Sequence, residues 1–178
     1  MELLKDNLPL IYLIFFLLLL SVAGVFIVLQ VLKTRKIESS LNQLEKKLKG
    51  GMGTAQEYYE LGSIYLDKKL FVSAIPMLQK AIKAEGLELT EKAPVYNALG
   101  YAYFGQEQYD IAIRQYKEAI KLEPEYVMAI NNLGHAYERK NLNSQALEMY
   151  EKALEIEPKN STAKRRSESL RRRLVAVK

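Results

Sequence analysis

The chain has no cysteine, no tryptophan and a single histidine, His135, among 178 residues. Without cysteine there is no disulfide, no thiolate nucleophile and no cysteine-built zinc site. One histidine excludes a multi-histidine metal centre within the chain. Glycine is sparse, at nine residues, and none of the glycines falls in the pattern of a phosphate-cradling loop. His135 stands in "NNLGHAY", with no second histidine and no cysteine to partner it. An enzyme, a cofactor and a metal are therefore not expected. The missing cysteines also remove any redox clue to the compartment.

Charge is short in the middle and concentrated around it. The formal net charge is +5. Residues 33–49 hold six Lys/Arg against two Glu, and residues 161–178 hold seven basic side chains against one acid. Between them, residues 50–160 are mildly acidic, with 12 basic and 16 acidic side chains. Two basic segments thus flank an acidic body.

From Leu10 to Leu32 charge is absent altogether: "LIYLIFFLLLLSVAGVFIVLQVL". As a helix this run is about 34 Å long, enough for the ~30 Å hydrocarbon core of a bilayer. A helix also satisfies its own backbone polar groups there. The competing reading is a cleaved signal peptide, whose apolar region runs only about 7–15 residues. Here the small-residue cluster "SVAG" is followed by more apolar sequence, which favours a retained transmembrane helix over 10–32, after a short segment 1–9. Lys33, Arg35 and Lys36 follow the run, then Lys46, Lys47 and Lys49. By the positive-inside rule the C-terminal body faces the cytoplasm or an organelle's equivalent, such as the stroma. Residues 33–53 read as a basic helical stalk and a Gly-rich link. Ile37, Leu41, Leu44 and Leu48 form a short seam, for packing on the next domain or for a brief coiled coil.

The body repeats itself. "YYELGSIY", "YNALGYAY" and "INNLGHAY" place Leu-Gly three residues before a tyrosine, at Leu61, Gly62 and Tyr65, then at Leu99, Gly100 and Tyr103, then at Leu133, Gly134 and Tyr137. Alanines follow in phase, at Ala74 and Ala81, Ala112 and Ala119, Ala146 and Ala153. Between each pair stands one bulky residue, Leu78, Tyr116 or Tyr150. Pro124 and Pro158 close the second and third units, where the first has Gly86. This pattern resembles the tetratricopeptide repeat (TPR), and it covers about 55–160. The fold expected is all-α: the transmembrane helix, then a three-repeat TPR α-solenoid (54–160, with units 55–92, 93–126 and 127–160), then a basic capping helix over 161–178. Each unit is an A helix and a B helix, and no unit buries its apolar face alone, so units stack. The first unit is longer, offset by 38 residues from the second against 34 for the next pair, so "GLELTEK" is read as an extended loop. Thr54 with Glu57 reads as a capping box. Asp110 and Ser144 read as N-caps of the second and third B helices. Pro76 fits its helix if it lies in the first turn.

In TPR folds the A helices line the concave face. The positions expected there are Gln56, Tyr59, Ser63 and Leu66; Pro94, Asn97, Tyr101 and Phe104; and Met128, Asn131, His135 and Glu138. Tyr59, Ser63, Asn97, Tyr101, Phe104, Asn131, His135 and Glu138 are the candidate partner-binding residues. Asparagine can both donate to and accept from an extended backbone, and tyrosine offers contact area with a polar tip. The Lys, Asn and Arg clamp of chaperone-binding TPR domains is missing: its places hold Tyr59, Ser63, Ala98, Met128 and Asn132. In the tail, Ala163, Ser167, Leu170, Leu174 and Val177 make a packing face. Arg165, Arg166, Arg171, Arg172 and Arg173 face outward, toward lipid headgroups, an acidic protein surface or solvent. No nucleic-acid partner is expected.

The layout as a whole, with "LPLIYLIFFLLLL", three units of this spacing and "AKRRSESLRRRLV", resembles the cyanobacterial and algal plastid family called hypothetical chloroplast reading frame thirty-seven. That resemblance implies a single-pass protein of the thylakoid membrane, its repeats on the stromal or cytoplasmic side, assembling or stabilising photosystem I. Its partners would be photosystem I subunits or other assembly factors. From the residues alone, a bacterial inner-membrane adaptor for another envelope or secretion complex fits as well.

Overall fold

The computed structural model describes residues 7–86, 88 and 91–176. Among these, every regular element is an α-helix. The chain divides into two units, residues 1–43 and 44–178.

The first unit is helical from residue 8 onward. It forms most of α1 (Leu8–Leu48), a helix of 41 residues, about 60 Å long. The apolar run and the basic stalk are therefore one uninterrupted helix, with no break at residue 33. From Tyr12 to Leu32 its large apolar side chains are all exposed. By length and composition this helix is able to cross a membrane. Its hydroxyls turn back on its own backbone: Ser21 Oγ donates to the Leu18 carbonyl at 2.8 Å, and Thr34 Oγ1 to that of Gln30 at 2.9 Å.

The second unit carries α2 (Ala55–Asp67), α3 (Phe71–Lys83), α4 (Lys92–Gly105), α5 (Tyr109–Leu122), α6 (Val127–Arg139), α7 (Asn143–Ile156) and α8 (Ser161–Ala176). Each helix packs on the one before it within the array: α2 on α3, α3 on α4, and so on to α8 on α7. These are three A/B pairs with a closing helix. The repeated alanines are fully buried at the crossings, and Leu78, Tyr116 and Tyr150 fill the space between them. Each wedge faces the glycine of its own unit. A Cβ on Gly100 would stand 2.6 Å from the Tyr116 ring, and one on Gly62 would stand 2.8 Å from Leu78.

Helix ends follow one device used three times. Lys69, Glu107 and Asn141 take positive φ, near 60°. Beyond them, the N–H groups of Leu70, Gln108 and Leu142 donate to the carbonyls of Tyr65, Tyr103 and Tyr137 at 2.8–3.0 Å. This is a Schellman closure, and the repeat tyrosine supplies its acceptor. It corrects the expected N-caps. Leu70, Gln108 and Leu142 begin the B helices with no side-chain cap, because the residue that closes helix A also opens helix B. Asp110 lies one residue inside α5, and its carboxylate instead pairs with Lys140. Ser144 likewise lies inside α7.

The capping box is present: Glu57 N donates to Thr54 Oγ1 at 3.2 Å, and Thr54 N to Glu57 Oε2 at 3.1 Å. Pro76 falls in the second turn of α3, not the first. There it leaves the Val72 carbonyl without its helical donor. Val72 is 76% exposed, so water can serve that carbonyl.

The tail closes the array. Asn160 Oδ1 accepts from Ala163 N at 2.9 Å, capping α8. Ala163, Ser167 and Leu170 are buried, while Val177 lies outside the described residues. So do residues 1–6 and, within "GLELTEK", Leu87, Leu89 and Thr90.

Candidate partner-binding groove

The A helices of all three repeats meet around one open cavity of about 370 Å³. Helix α2 contributes Tyr59, Ser63, Leu66 and Asp67, α4 contributes Asn97, Ala98 and Tyr101, and α6 contributes Met128 and Asn132. Four of the eight candidate binding residues, Tyr59, Ser63, Asn97 and Tyr101, thus line one space, together with Leu66 and Met128 of the wider concave set. In the floor, Asn132 Nδ2 donates to Asn97 Oδ1 at 2.9 Å. The nearby Tyr126 hydroxyl is pushed up from its ordinary pKa, first by burial. Ser63 Oγ turns back to the Tyr59 carbonyl at 2.8 Å, which leaves the walls to the aromatic rings. Tyr101 is 43% exposed and is braced edge-on by Phe71.

The remaining expected residues are placed elsewhere. Phe104 sits between Tyr109 and His135, with ring centroids 5.3 and 4.8 Å away. Arg139 covers the same rings, 6.0 Å from Phe104 and 5.1 Å from Tyr109. Glu138 accepts from the Tyr150 hydroxyl at 2.8 Å and from Arg166 at 3.1 Å. Its side chain is only 9% exposed. Burial pushes the Tyr150 hydroxyl well above the ordinary tyrosine range, and its bond to Glu138 adds to the shift. Asn131 holds a buried Oδ1 with no hydrogen-bond partner among the described residues. Hence the far end of the third repeat is tied into its own packing and into α8, and the cavity lies nearer the first two repeats.

His135 is held below its ordinary pKa of 6.5, first by burial and then by the positive charge of Arg166. The folded state therefore prefers neutral imidazole, while the unfolded chain takes a proton near 6.5. Stability tied to this group is full above 6.5 and is lost as pH falls through the depressed folded value. Urea unfolding should show a lower midpoint below pH 6.5 than above it, and His135→Gln should shrink that difference. An identical pH dependence in the variant rules this role out.

The outward-facing tail is reduced as well. Arg166 turns in to Glu138. Arg171 forms a two-nitrogen contact with Glu151, at 3.1 and 2.7 Å. Arg165, Arg172 and Arg173 are exposed.

Asp67 is not among the residues the sequence places at the site, and Asn132 enters there only as a departure from the chaperone clamp. Asn132 had a legible signal: it stands four residues after Met128 and three before His135, on the same helical stripe. Asp67 had none, because it falls at the end of α2, where the helix closure decides which way the chain leaves.

Stacked helix pairs around a groove built from A helices define a tetratricopeptide repeat protein, a scaffold for protein partners. Comparison with known families agrees. Models described as tetratricopeptide or TPR repeats match residues 55–86, 100–141 and 127–160. The ycf37 protein of Cyanophora paradoxa is 36% identical over 118 residues, covering 66% of this chain and 69% of that protein. The chloroplastic tetratricopeptide repeat domain-containing protein PYG7 of Arabidopsis thaliana is 37% identical over 131 residues, or 74% of this chain. The chain spans only 44% of the length of that relative. Among solved structures, YrrB, described as a TPR protein with an unusual peptide-binding site, superimposes with a TM-score of 0.66 at 25% identity, covering 73% of this chain and 65% of that one. The chain belongs to the ycf37 family of tetratricopeptide repeat proteins.

Proposed function

We propose that this protein is a membrane-anchored scaffold that holds an extended segment of a protein partner while photosystem I is assembled or stabilised at the thylakoid membrane. The observation that carries the binding role is the cavity lined by A helices of all three repeats. Its floor offers amide donors and acceptors to a backbone, and its walls offer tyrosine rings. The anchoring role is supported by the uncharged, uncovered stretch of α1, which is too apolar to remain in water. The basic residues after it support an orientation with the repeats on the stromal or cytoplasmic side. An anchor confines the groove to a thin layer above the bilayer and raises its effective concentration toward membrane partners. The chloroplastic relative supports the plastid setting, and the likeness to the plastid family supports photosystem I as the assembly served.

The test is made with the full tagged chain in a photosynthetic host. It should remain in thylakoid membranes after alkaline carbonate washing and should copurify with photosystem I subunits. Replacing Tyr59 and Tyr101 by alanine should reduce that copurification about tenfold or more while helicity is unchanged. Release by carbonate rules out the anchor. Undiminished capture by the double variant rules out the groove. Membrane retention with only envelope or secretion components recovered points instead to the adaptor reading.

A further inference from the structure

Positive charge in the repeats is sorted by helix. The B helices α3, α5 and α7 carry Lys80, Lys83, Arg114, Lys117, Lys121 and Lys152, whereas the A helices carry only Lys92 and Arg139. Lys92 is the first residue of α4, and Arg139 is laid over Phe104 and Tyr109. Neither lines the cavity. Acids stand on both sets, Glu57, Glu60, Asp67 and Glu138 on the A helices and Asp110, Glu118, Glu148, Glu151 and Glu155 on the B helices, so it is the cations that are kept from the concave side. Of the nine residues lining the cavity one is charged, Asp67, and none is a cation. Lys68 and Lys69 follow Asp67 but belong to the turn that leaves α2 and do not line the space.

From this sorting we infer that the groove selects a partner segment bearing a lysine or arginine side chain and disfavours an acidic one. This rests on the groove reading above and names the chemistry of its occupant. The cation would meet the Asp67 carboxylate at one end and the faces of Tyr59 and Tyr101 along the wall. Tyrosine rings attract cations and repel anions through their quadrupole. The segment's backbone would lie over the Asn97–Asn132 amide pair, which keeps an unused acceptor lone pair on one side and amide hydrogens on the other. A volume of 370 Å³ holds about a dozen waters, so a few residues of the segment are engaged. An acidic segment would find no cation in this lining and would lose its hydration.

The test uses the full chain in uncharged detergent micelles and three fluorescent peptides of one neutral sequence, with lysine, glutamine or glutamate at the central position. Anisotropy should rank them lysine first and glutamate last, with about tenfold between the two. Asp67→Asn should weaken the lysine peptide about threefold and the glutamine peptide by clearly less; an equal loss for both overturns the assignment of the cation to Asp67. Equal affinity for all three peptides, or a preference for glutamate, overturns this inference and leaves the groove reading standing. No saturable binding of any peptide overturns both.

Discussion

Tyr116→Ala is expected to lower the stability of the repeat array by about 3–5 kcal/mol, the usual range for deleting a buried aromatic ring. Tyr116 is 1% exposed and sits in the cluster joining the second repeat to the third. Its neighbours there include Ala112, Ile113, Val127 and Ile130. Those helices hold each other in place, so the cavity left by the ring has little freedom to collapse. Tyr116→Leu should lose much less, because Leu78 already fills the corresponding place in the first unit. The partner of the wedge makes the same point from the other side. Adding a Cβ at Gly100 would bring it within 2.6 Å of the ring, and Gly100→Ala should cost about 1–3 kcal/mol through overpacking. The double variant should lose less than the two single losses added, because the collision disappears with the ring. Urea unfolding followed by circular dichroism measures all four. A Tyr116→Ala loss below about 1 kcal/mol, or strict additivity, would show that the wedge does not hold the units together.

The second large effect is at the joint between the third repeat and the capping helix. Glu138→Ala removes the acceptor of both the Tyr150 hydroxyl and Arg166. Hydrogen bonds to charged groups contribute about 1.5–3 kcal/mol each, but the Arg166 side chain is 36% exposed, so solvent screens its share. The expected loss is about 2 kcal/mol, carried mainly by the buried bond from Tyr150. Glu138→Gln retains an oxygen for Tyr150 and gives up only the ion pair, so its loss should be under about 1 kcal/mol. Hydrogen exchange should quicken first in α8, whose buried face is short (Ala163, Ser167, Leu170). If exchange in α8 matches wild type in Glu138→Ala, the carboxylate is not what fastens the capping helix.

The contrast between these two sites explains what could be read in advance. Tyr116 was legible because its role recurs: Leu78, Tyr116 and Tyr150 hold one phase, and so do the glycines they face. Packing between repeats must be solved the same way in each unit, so its residues leave a period in the sequence. Glu138 was legible only as a member of the concave stripe. Its capture by Arg166 joins residues 28 positions apart across a helix that occurs once. Asp110 and Ser144 show another limit. Their residue types favour capping, but the Schellman closure set by the preceding tyrosine carbonyls had already fixed where each B helix begins. Local propensity yielded to backbone hydrogen bonding.

By itself, then, the sequence determined the all-α class, the phase of three repeats, the apolar helix and the charge segregation along the chain. All of these depend on spacing and composition, which the chain states directly. Only the tertiary structure decided which concave residues share one cavity. Tyr59, Ser63, Asn97 and Tyr101 meet Asp67 and Asn132 there, whereas Phe104, His135 and Glu138 are drawn into contacts with neighbouring helices. The physical reason is that a helical stripe fixes only the direction in which a residue points. What stands opposite is set by the crossing of one helix on the next.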